Sequence, residues 1–411
     1  MNILYIDHYA GSKTLGRSFR PYYLGREWNK LGCQLTVIGG SYSHLRTINP
    51  KPGVVFIDDI HYIWLWTPKY KENGIGRILS MLIFMFQLFI NIPRIIKIAK
   101  PDTIIASTVY MLDIFPAWLI KKLMRNRPQL IFELHDIWPM SPMQIGNLSR
   151  YSPYILFLRL VEKFVYKFSD KVASILPNGI EYIKKFGISQ NKLLYVPNGV
   201  VIEEWEENKA KKHSLLKKHL KTIQDIKNKG FFLLGYAGAH SLANGLENLI
   251  NAAKLLKSQN IYLILIGDGN KKLYLQEYAK INNIQNITFF DTVPKEIIPE
   301  LIKQFDVLYI GLNKLPVFEY GISPNKIFDY MMSGRPIISA IESKFNPVDI
   351  AGCGFTVKPQ NPQELANVII QISKKSKNEL DIIGAAGRKF VMKHHSYNKI
   401  AKSFLNFIKK P

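Results

Sequence analysis

Residues 319–340 read EYGISPNKIFDYMMSGRPIISA: a turn-prone opening, a short helical pattern, a glycine stop, then an apolar strand. Loop, helix, tight turn and buried strand in that order point to an α/β chain. Ser323, Pro324, Asn325 and Lys326 gather where the helix begins. The first turn of a helix offers unpaired backbone N–H groups and a partial positive charge, so a lysine placed there makes a site for a diphosphate. Asp329 follows about one helical turn later, where a carboxylate accepts hydrogen bonds from a ribose.

The same style extends in both directions. Residues 1–200 alternate helical patterns with the short apolar runs ILYID, QLTVIGG, IHYIWLW, TIIAST, QLIFELHD, KVASILP and KLLYVPNG. The second half repeats it with FFLLGYAG, IYLILIGDG, ITFFD, VLYIGL, RPIISAI and GFTVKP. Continuous apolar strands separated by helices form parallel sheets buried on both faces, so each half reads as an open α/β sheet. Charged residues replace apolar runs between them, which gives a first domain over 1–202, a charged linker over 203–229, a second domain over 230–390 and a C-terminal segment over 391–411 with helical spacing of Ile400, Phe404 and Phe407. Ligand loops in this architecture lie at the carboxyl ends of the strands, so the two domains are expected to face each other across one shared cleft.

Composition narrows the class. The 411 residues exceed one ordinary core, and 47% hydrophobic content suits globular folding. Cys33 and Cys353 are far apart and match no metal spacing, which fits a reducing, cytoplasmic compartment. The N-terminus reads as a first buried strand and lacks the pattern of a signal peptide. The apolar run Leu79–Ile92 is shorter than the roughly 20 residues a spanning helix needs. A formal charge of +24 implies an anionic partner. No zinc knuckle, RNA-binding aromatic signature or Arg-rich arm accompanies it, so an anionic membrane surface is favoured and nucleic acid is not expected. Arg77, Arg94, Lys97 and Lys100 surround Leu79–Ile92, and Arg159, Lys163, Lys167 and Lys171 thread the run 154–171, with basic flanks that suit a membrane interface. The apolar side chains of both runs are expected to pack into the core.

Further motifs lie at strand ends. HYAGSKTLGRSF follows the first strand; Gly16 permits close backbone approach, and Arg17 or Arg20 is placed to meet a phosphate or an acceptor charge. QLIFELHDIWP ends a strand in Glu133, His135 and Asp136, polar groups at the edge where ligands bind; Asp136 equally suits capping the turn that follows. GYAGAHSLANGLENL at 235–249 reads as strand, glycine loop and helix, with Gly238 and Asn244 as candidate phosphate-side residues. LILIGDG adds Gly267 under a nucleotide.

The block SPNKIFDYMMSGRPII resembles the donor-binding segment of family 4 retaining glycosyltransferases, SPNK-x-F-[DE]-Y-M-x-x-G-[KR]-P-I-I. HDIWP is similar to that family's HD or D-x-W-P stretch and YVPNGV at 195–200 to its V-I-P-N-G-V, and the resemblance runs over nearly the whole chain. It implies two Rossmann-like domains (the GT-B fold) facing across a cleft, with a C-terminal helix crossing back to the first domain. It also implies a UDP-sugar substrate rather than a resident cofactor, and no metal. Donor contacts then fall on Gly16, Arg17, Gly238, Asn244, Gly267, Val293, Ser323, Pro324, Asn325, Lys326 and Asp329, with Val293 bordering the base. Catalytic roles fall on His135 beside the sugar, on Asp136 and on Lys326.

Two departures matter. Ala239 and His240 stand where the family carries an arginine, and Asn244 where it carries a lysine, so Lys326 is left to meet the diphosphate. The family's E-x7-E pair is altered as well: the first position falls on Gly321, with Glu319 two residues earlier as a sugar contact. The likeness is strongest to bacterial enzymes that transfer amino sugars such as N-acetylfucosamine during capsule, O-antigen or exopolysaccharide assembly. It implies a lipid-linked saccharide acceptor and a peripheral place on the inner face of the cell membrane. A UDP-sugar epimerase of the same fold and a non-catalytic nucleotide-binding protein are the alternatives.

Overall fold

The computed structural model describes residues 1–16, 19–71, 74–206 and 213–410. The chain forms two compact units, Met1–Asn198 with Tyr397–Pro411, and Gly199–Ser396.

The first unit is built on β1 (Asn2–Ile6), β2 (Gln34–Gly40), β3 (Gly53–Ile57), β4 (Ile60–Leu65), β5 (Thr103–Ala106), β6 (Gln129–Leu134), β7 (Lys171–Ser174) and β8 (Leu193–Tyr195). They form one sheet in the order β3-β4-β2-β1-β5-β6-β7-β8, parallel except for β3, which pairs antiparallel with β4. The sequence reading did not include β3. Its hairpin turns through Asp58 and Asp59, both left-handed at φ 46° and 61°, the geometry for which Asn-Gly is the usual signal.

Helix α1 (Arg20–Lys30) joins β1 to β2; α2 (Ile75–Ile90) and α3 (Ile92–Ala99) join β4 to β5, α4 (Ile114–Leu123) joins β5 to β6, and α5 (Pro153–Phe168) lies between β6 and β7. Successive strands β4 to β7 step in one direction across the sheet, and right-handed crossovers therefore put α2 to α5 on one face and α1 on the other.

The last helix, Tyr397–Lys409, packs against α1 in this unit. Trp28 Nε1 donates to the Ala401 carbonyl at 2.9 Å, and the Trp28 and Phe404 rings meet at 5.5 Å. Lys171 Nζ donates to the Phe407 carbonyl at 2.7 Å, placing a cation where a helix C-terminus has unpaired carbonyls. This helix begins at Tyr397, and residues 391–396 complete the second unit.

The second unit carries β9 (Phe232–Ala237), β10 (Ile261–Ile266), β11 (Ile287–Phe290), β12 (Val307–Gly311), β13 (Ile337–Ala340) and β14 (Gly354–Thr356). Their order β11-β10-β9-β12-β13-β14 is the doubly wound 3-2-1-4-5-6 arrangement, parallel throughout. Side chains alternate between the two faces: Leu263 and Leu265 join one apolar cluster, Ile264 and Ile266 the other. Both units are Rossmann-like.

The segment expected to be a charged linker is part of this unit. Its helix α6 (Ser214–Asn228) is amphipathic, and Leu216, Ile223 and Ile226 enter the same cluster as Leu233 and Leu301. The chain passes between the units at Asn198–Gly199 and again at Ser396–Tyr397. The Val200 N–H donates to the His395 carbonyl at 2.8 Å, and Val200 bridges Ser396, so the residues beside the two crossings are paired. Of the described residues, no single helix is long and apolar enough to cross a membrane; α2 and α3 pass that test only as a pair bent by 67°.

Because Phe404 is fully buried, Phe404→Ala should destabilise the first unit by about 3–5 kcal/mol. Hydrogen exchange of the α1 amides in urea would read the loss, and unchanged protection there would show that the last helix does not support α1.

Candidate active site

In the second unit the switch point of the sheet lies between β9 and β12, where neighbouring crossovers leave in opposite directions. The loop after β9 carries Gly238, Ala239 and His240, and helix α7 (Leu246–Leu255) follows it. Helix α8 (Asn325–Met332) starts after β12 with Pro324, whose side chain makes no capping bond, as its N-cap.

Lys326 reaches from α8 to the glycine loop. Its Nζ donates to Asn244 Oδ1 at 2.6 Å and Tyr236 Oη at 2.9 Å and lies 4.7 Å from the Tyr236 ring centroid. Both partner residues are neutral. Burial pushes the ammonium down to about 7, and among the described residues no charge offsets it. Asn244 turns its amide the other way, donating to the Ala239 carbonyl at 2.9 Å and to Ser241 Oγ at 2.7 Å. Asn244 thus ties the loop to Lys326.

The glycines are needed for this approach. A Cβ on Gly238 would lie 2.8 Å from Lys326 Nζ, and one on Gly267 would lie 2.0 Å from the Gly238 carbonyl oxygen. His240, in the place of the family's arginine, is buried and held down to about 4 by burial and by the Lys272 charge, so it brings no cation to the loop.

Ser323 is buried and Asn325 exposed at the α8 entry. Asp329 is half-buried on α8; burial raises its carboxyl, Lys295 opposing and Glu204 adding to the shift. Val293 is half-buried beyond β11, where Lys272 Nζ donates to the Phe290 carbonyl at 3.3 Å and to Asp291 Oδ1 at 2.5 Å, fixing that strand end. Glu319 is exposed on the turn Pro316–Tyr320. Gly238, Asn244, Gly267 and Lys326 are therefore brought together, while Glu319 is not drawn into that cluster.

The first unit has its own polar cluster at the carboxyl ends of β1, β5 and β6. Glu133 is fully buried. Its Oε1 accepts from Arg20 Nε at 3.1 Å and Nη2 at 2.8 Å. Its Oε2 accepts from the Tyr5 hydroxyl, from Ser107 Oγ at 2.8 Å and from His135 Nε2 at 2.9 Å. Burial alone would raise the carboxyl, but the Arg20 charge and the bonds from His135 and Arg20 hold it well below the usual range. An ionised Glu133 requires the proton of His135 on Nε2, which leaves Nδ1 as the ring's other nitrogen. His135 is one-fifth exposed.

One reading changes here, that of Arg20, and the surroundings of Asp136 and Gly16 are defined. Arg20, expected to meet a ligand's charge, is buried in the pair with Glu133 and donates to the carbonyls of Val196 at 2.8 Å and Pro197 at 2.7 Å. Asp136 caps its turn: Oδ1 accepts from the Ile137 N–H at 2.9 Å and from Ser141 Oγ at 2.5 Å. Gly16, at φ 79°, packs against Thr47, whose Oγ1 would lie 2.6 Å from a Cβ there. Arg17 lies outside the described residues. Asp7 was not singled out; it follows β1 directly and is raised to about 6 by burial, which the charge of His135 opposes. An acid just past the first strand of a Rossmann-like sheet was the available signal.

Both units are similar to known proteins. The glycosyltransferase family 4 model matches residues 20–204, and the model described as glycosyl transferases group 1 matches residues 232–375. The probable glycosyltransferase WbjE of Pseudomonas aeruginosa is 22% identical over 336 residues, which cover 80% of each chain. The putative colanic acid biosynthesis glycosyl transferase WcaI of Escherichia coli K12 is 21% identical over 242 residues, covering 59% of this chain and 58% of that one. The structure of Anabaena Alr3699/HepE in complex with UDP and glucose superposes with a TM-score of 0.68 at 15% identity, covering 100% of both chains. With a family 4 segment on the first sheet and a group 1 segment on the second, the chain is a family 4 glycosyltransferase of the GT-B fold.

Proposed function

We propose that the enzyme is a retaining transferase that moves an N-acetylated amino sugar from a UDP-sugar to a lipid-linked saccharide, during capsule, O-antigen or exopolysaccharide assembly at the inner face of the cell membrane. The observation that carries this reading is Lys326, an ammonium at the start of α8, behind the N-cap Pro324, whose hydrogen-bond partners are neutral. A diphosphate supplies the missing negative charge. WcaI, named for colanic acid biosynthesis, and HepE, solved with UDP and glucose, support the polysaccharide context and the uridine nucleotide. The epimerase alternative gives way to transfer, the chemistry of the family.

In this proposal the second unit holds the donor. Lys326, the N–H groups opening α8 and the Gly238 loop take the diphosphate, Ser323, Pro324 and Asn325 shape its entry, Asp329 takes the ribose, and Gly267 and Val293 border the nucleoside. Arg17 and Gly16 are kept as further phosphate-side contacts and Glu319 as a sugar contact. The first unit takes the acceptor. The bond from the sugar's C1 to the diphosphate oxygen breaks while the acceptor hydroxyl bonds C1 on the same face, and the hydroxyl proton leaves with the diphosphate. Lys326 stabilises the charge that develops on the leaving group. His135, held through Nε2 by Glu133 and Ser107, stabilises the oxocarbenium-like sugar, with Asp136 fixing the backbone beside it. No cofactor and no metal is assigned a part.

Incubation with a panel of UDP-sugars and a lipid-diphosphate saccharide should yield one glycosylated lipid with the donor's anomeric configuration. Inversion, epimerised free nucleotide sugar, or binding without turnover would each overturn the reading. Lys326→Ala should lose UDP affinity about tenfold or more, since a hydrogen bond to a charged group contributes roughly 1.5–3 kcal/mol; wild-type affinity by calorimetry would remove Lys326 from the site. Asp329→Asn should weaken UDP, whereas Glu319→Gln should leave UDP binding intact and change only the sugar's contribution; equal losses of UDP affinity would contradict the assignment.

The Lys326 ammonium also makes donor affinity pH-dependent. Its proton is held with a pKa of about 7 in the free protein, and a bound diphosphate raises that value. Binding of a UDP-sugar therefore takes up a proton above neutrality, and affinity falls as pH rises, by up to about tenfold per pH unit, until the complex also deprotonates. Below neutrality the lysine is charged in both states and the dependence vanishes. Calorimetry in buffers of different ionisation heat should show this uptake in the wild type and none in Lys326→Ala; a wild type without it would place the lysine elsewhere.

A further inference from the structure

Helix α2 is apolar on both sides. Ser80, Met81, Phe84, Met85 and Leu88 are buried, while Leu79, Leu82, Phe86 and Phe89 form an outward stripe, with Leu82 54% and Phe86 63% exposed. The expectation that this run buries its side chains in the core holds for one stripe only. A helix apolar all round belongs in a core or against a second apolar phase. The stripe continues in kind on the same layer. Phe115 and Trp118 of α4 pack on Phe164 of α5 at 4.7 and 5.9 Å, α2 packs on α4, and α5 turns Phe157 and Leu160 outward, Leu160 being 66% exposed.

The charge on this layer has one sign. The helices α2, α3, α4 and α5 contain a single acid, Glu162, which is buried and accepts from the Tyr182 hydroxyl at 2.7 Å. Arg94 and Lys97 on α3, and Arg159, Lys163 and Lys167 on α5, are exposed. Two copies of this face would bring cation against cation with no carboxylate between them, which disfavours self-association. An anionic bilayer meets both features: its headgroups pair with the lysines and arginines, and its acyl boundary accepts leucine and phenylalanine.

We infer that the outer face of the α2–α5 layer docks on an anionic membrane by inserting the Leu79–Leu82–Phe86–Phe89 stripe, with the basic residues of α3 and α5 on the headgroups. This names the surface behind the membrane placement proposed above and rests on no assumption about sugar or donor. The full chain should float with vesicles of phosphatidylglycerol and phosphatidylcholine and not with phosphatidylcholine alone. Leu82→Gln with Phe86→Gln should lower partitioning at least about tenfold at an ionic strength of about 0.15 M, where surface charge is already screened beyond about 8 Å. Arg94→Gln with Lys97→Gln should make the remaining binding weaker and less salt-sensitive. Cys33 and Cys353 are buried, so Leu82→Cys accepts an environment-sensitive dye selectively, and its emission should shift to the blue on anionic vesicles. UDP affinity should be unchanged in every variant. Undiminished flotation of the Leu82–Phe86 variant, a dye that stays in water, or a wild type that self-associates and ignores vesicles would overturn the inference. Vesicle binding without sugar transfer would leave the docking face standing and count against the transferase chemistry instead.

Discussion

The buried pair of Arg20 and Glu133 is the interaction on which the first unit's working edge depends. Glu133 has given up all contact with water, and two charges in such a place are tolerated only when each lone pair and each proton is used. Here they are: five donors converge on the carboxylate, and the remaining guanidinium protons reach the Val196 and Pro197 carbonyls and Asn198 Oδ1. One ion pair thus joins the start of α1, the end of β6, the orientation of His135 and the last residues before the chain leaves for the second unit. Removing either partner would strand a buried charge, at a cost of about 3–5 kcal/mol.

Lys326 is the opposite case. It has also been taken from water, yet its neighbours are a phenol, an aromatic face and an amide oxygen. Arg20 and Lys326 are both basic residues near the start of a helix that follows a strand, and residue type alone does not tell them apart. What separates them is the counter-charge, supplied by Glu133 in one case and absent among the described residues in the other. A cation so placed in a loop of glycines is what the proposed donor reading uses to hold an anion from outside.

Much of this was legible beforehand. The thirteen strands read as apolar runs are all present, because parallel strands buried on both faces write continuous hydrophobic segments. The missing one, β3, carries the apolar run GVVFI but is exposed along its centre, lies at an edge and turns through Asp58 and Asp59 instead of a glycine, so no turn signal marked it off as a strand of its own. The stretch 203–229 looked like a tether because lysines outnumber its apolar residues, whereas a single stripe of Leu216, Ile223 and Ile226 suffices to anchor a helix. The positions of Lys326, Asn244, Gly238 and Gly267 followed from local pattern, since loop and helix start are encoded by neighbours in sequence. The fate of Arg20, and the outward side of α2, depend on residues more than a hundred positions away or on what nothing covers. Local pattern cannot carry that information.

The last helix has a consequence for the order in which the protein comes into being. Synthesis delivers Met1–Asn198 of the first unit early, but the partner that covers α1 and Trp28 is translated only after the whole of the second unit. The second unit, by contrast, is one unbroken stretch and has all its strands once Ser396 has emerged. The unit begun first is therefore finished last, and during elongation its α1 face remains an open apolar surface that a nascent-chain chaperone, or a neighbouring chain on the same message, can reach.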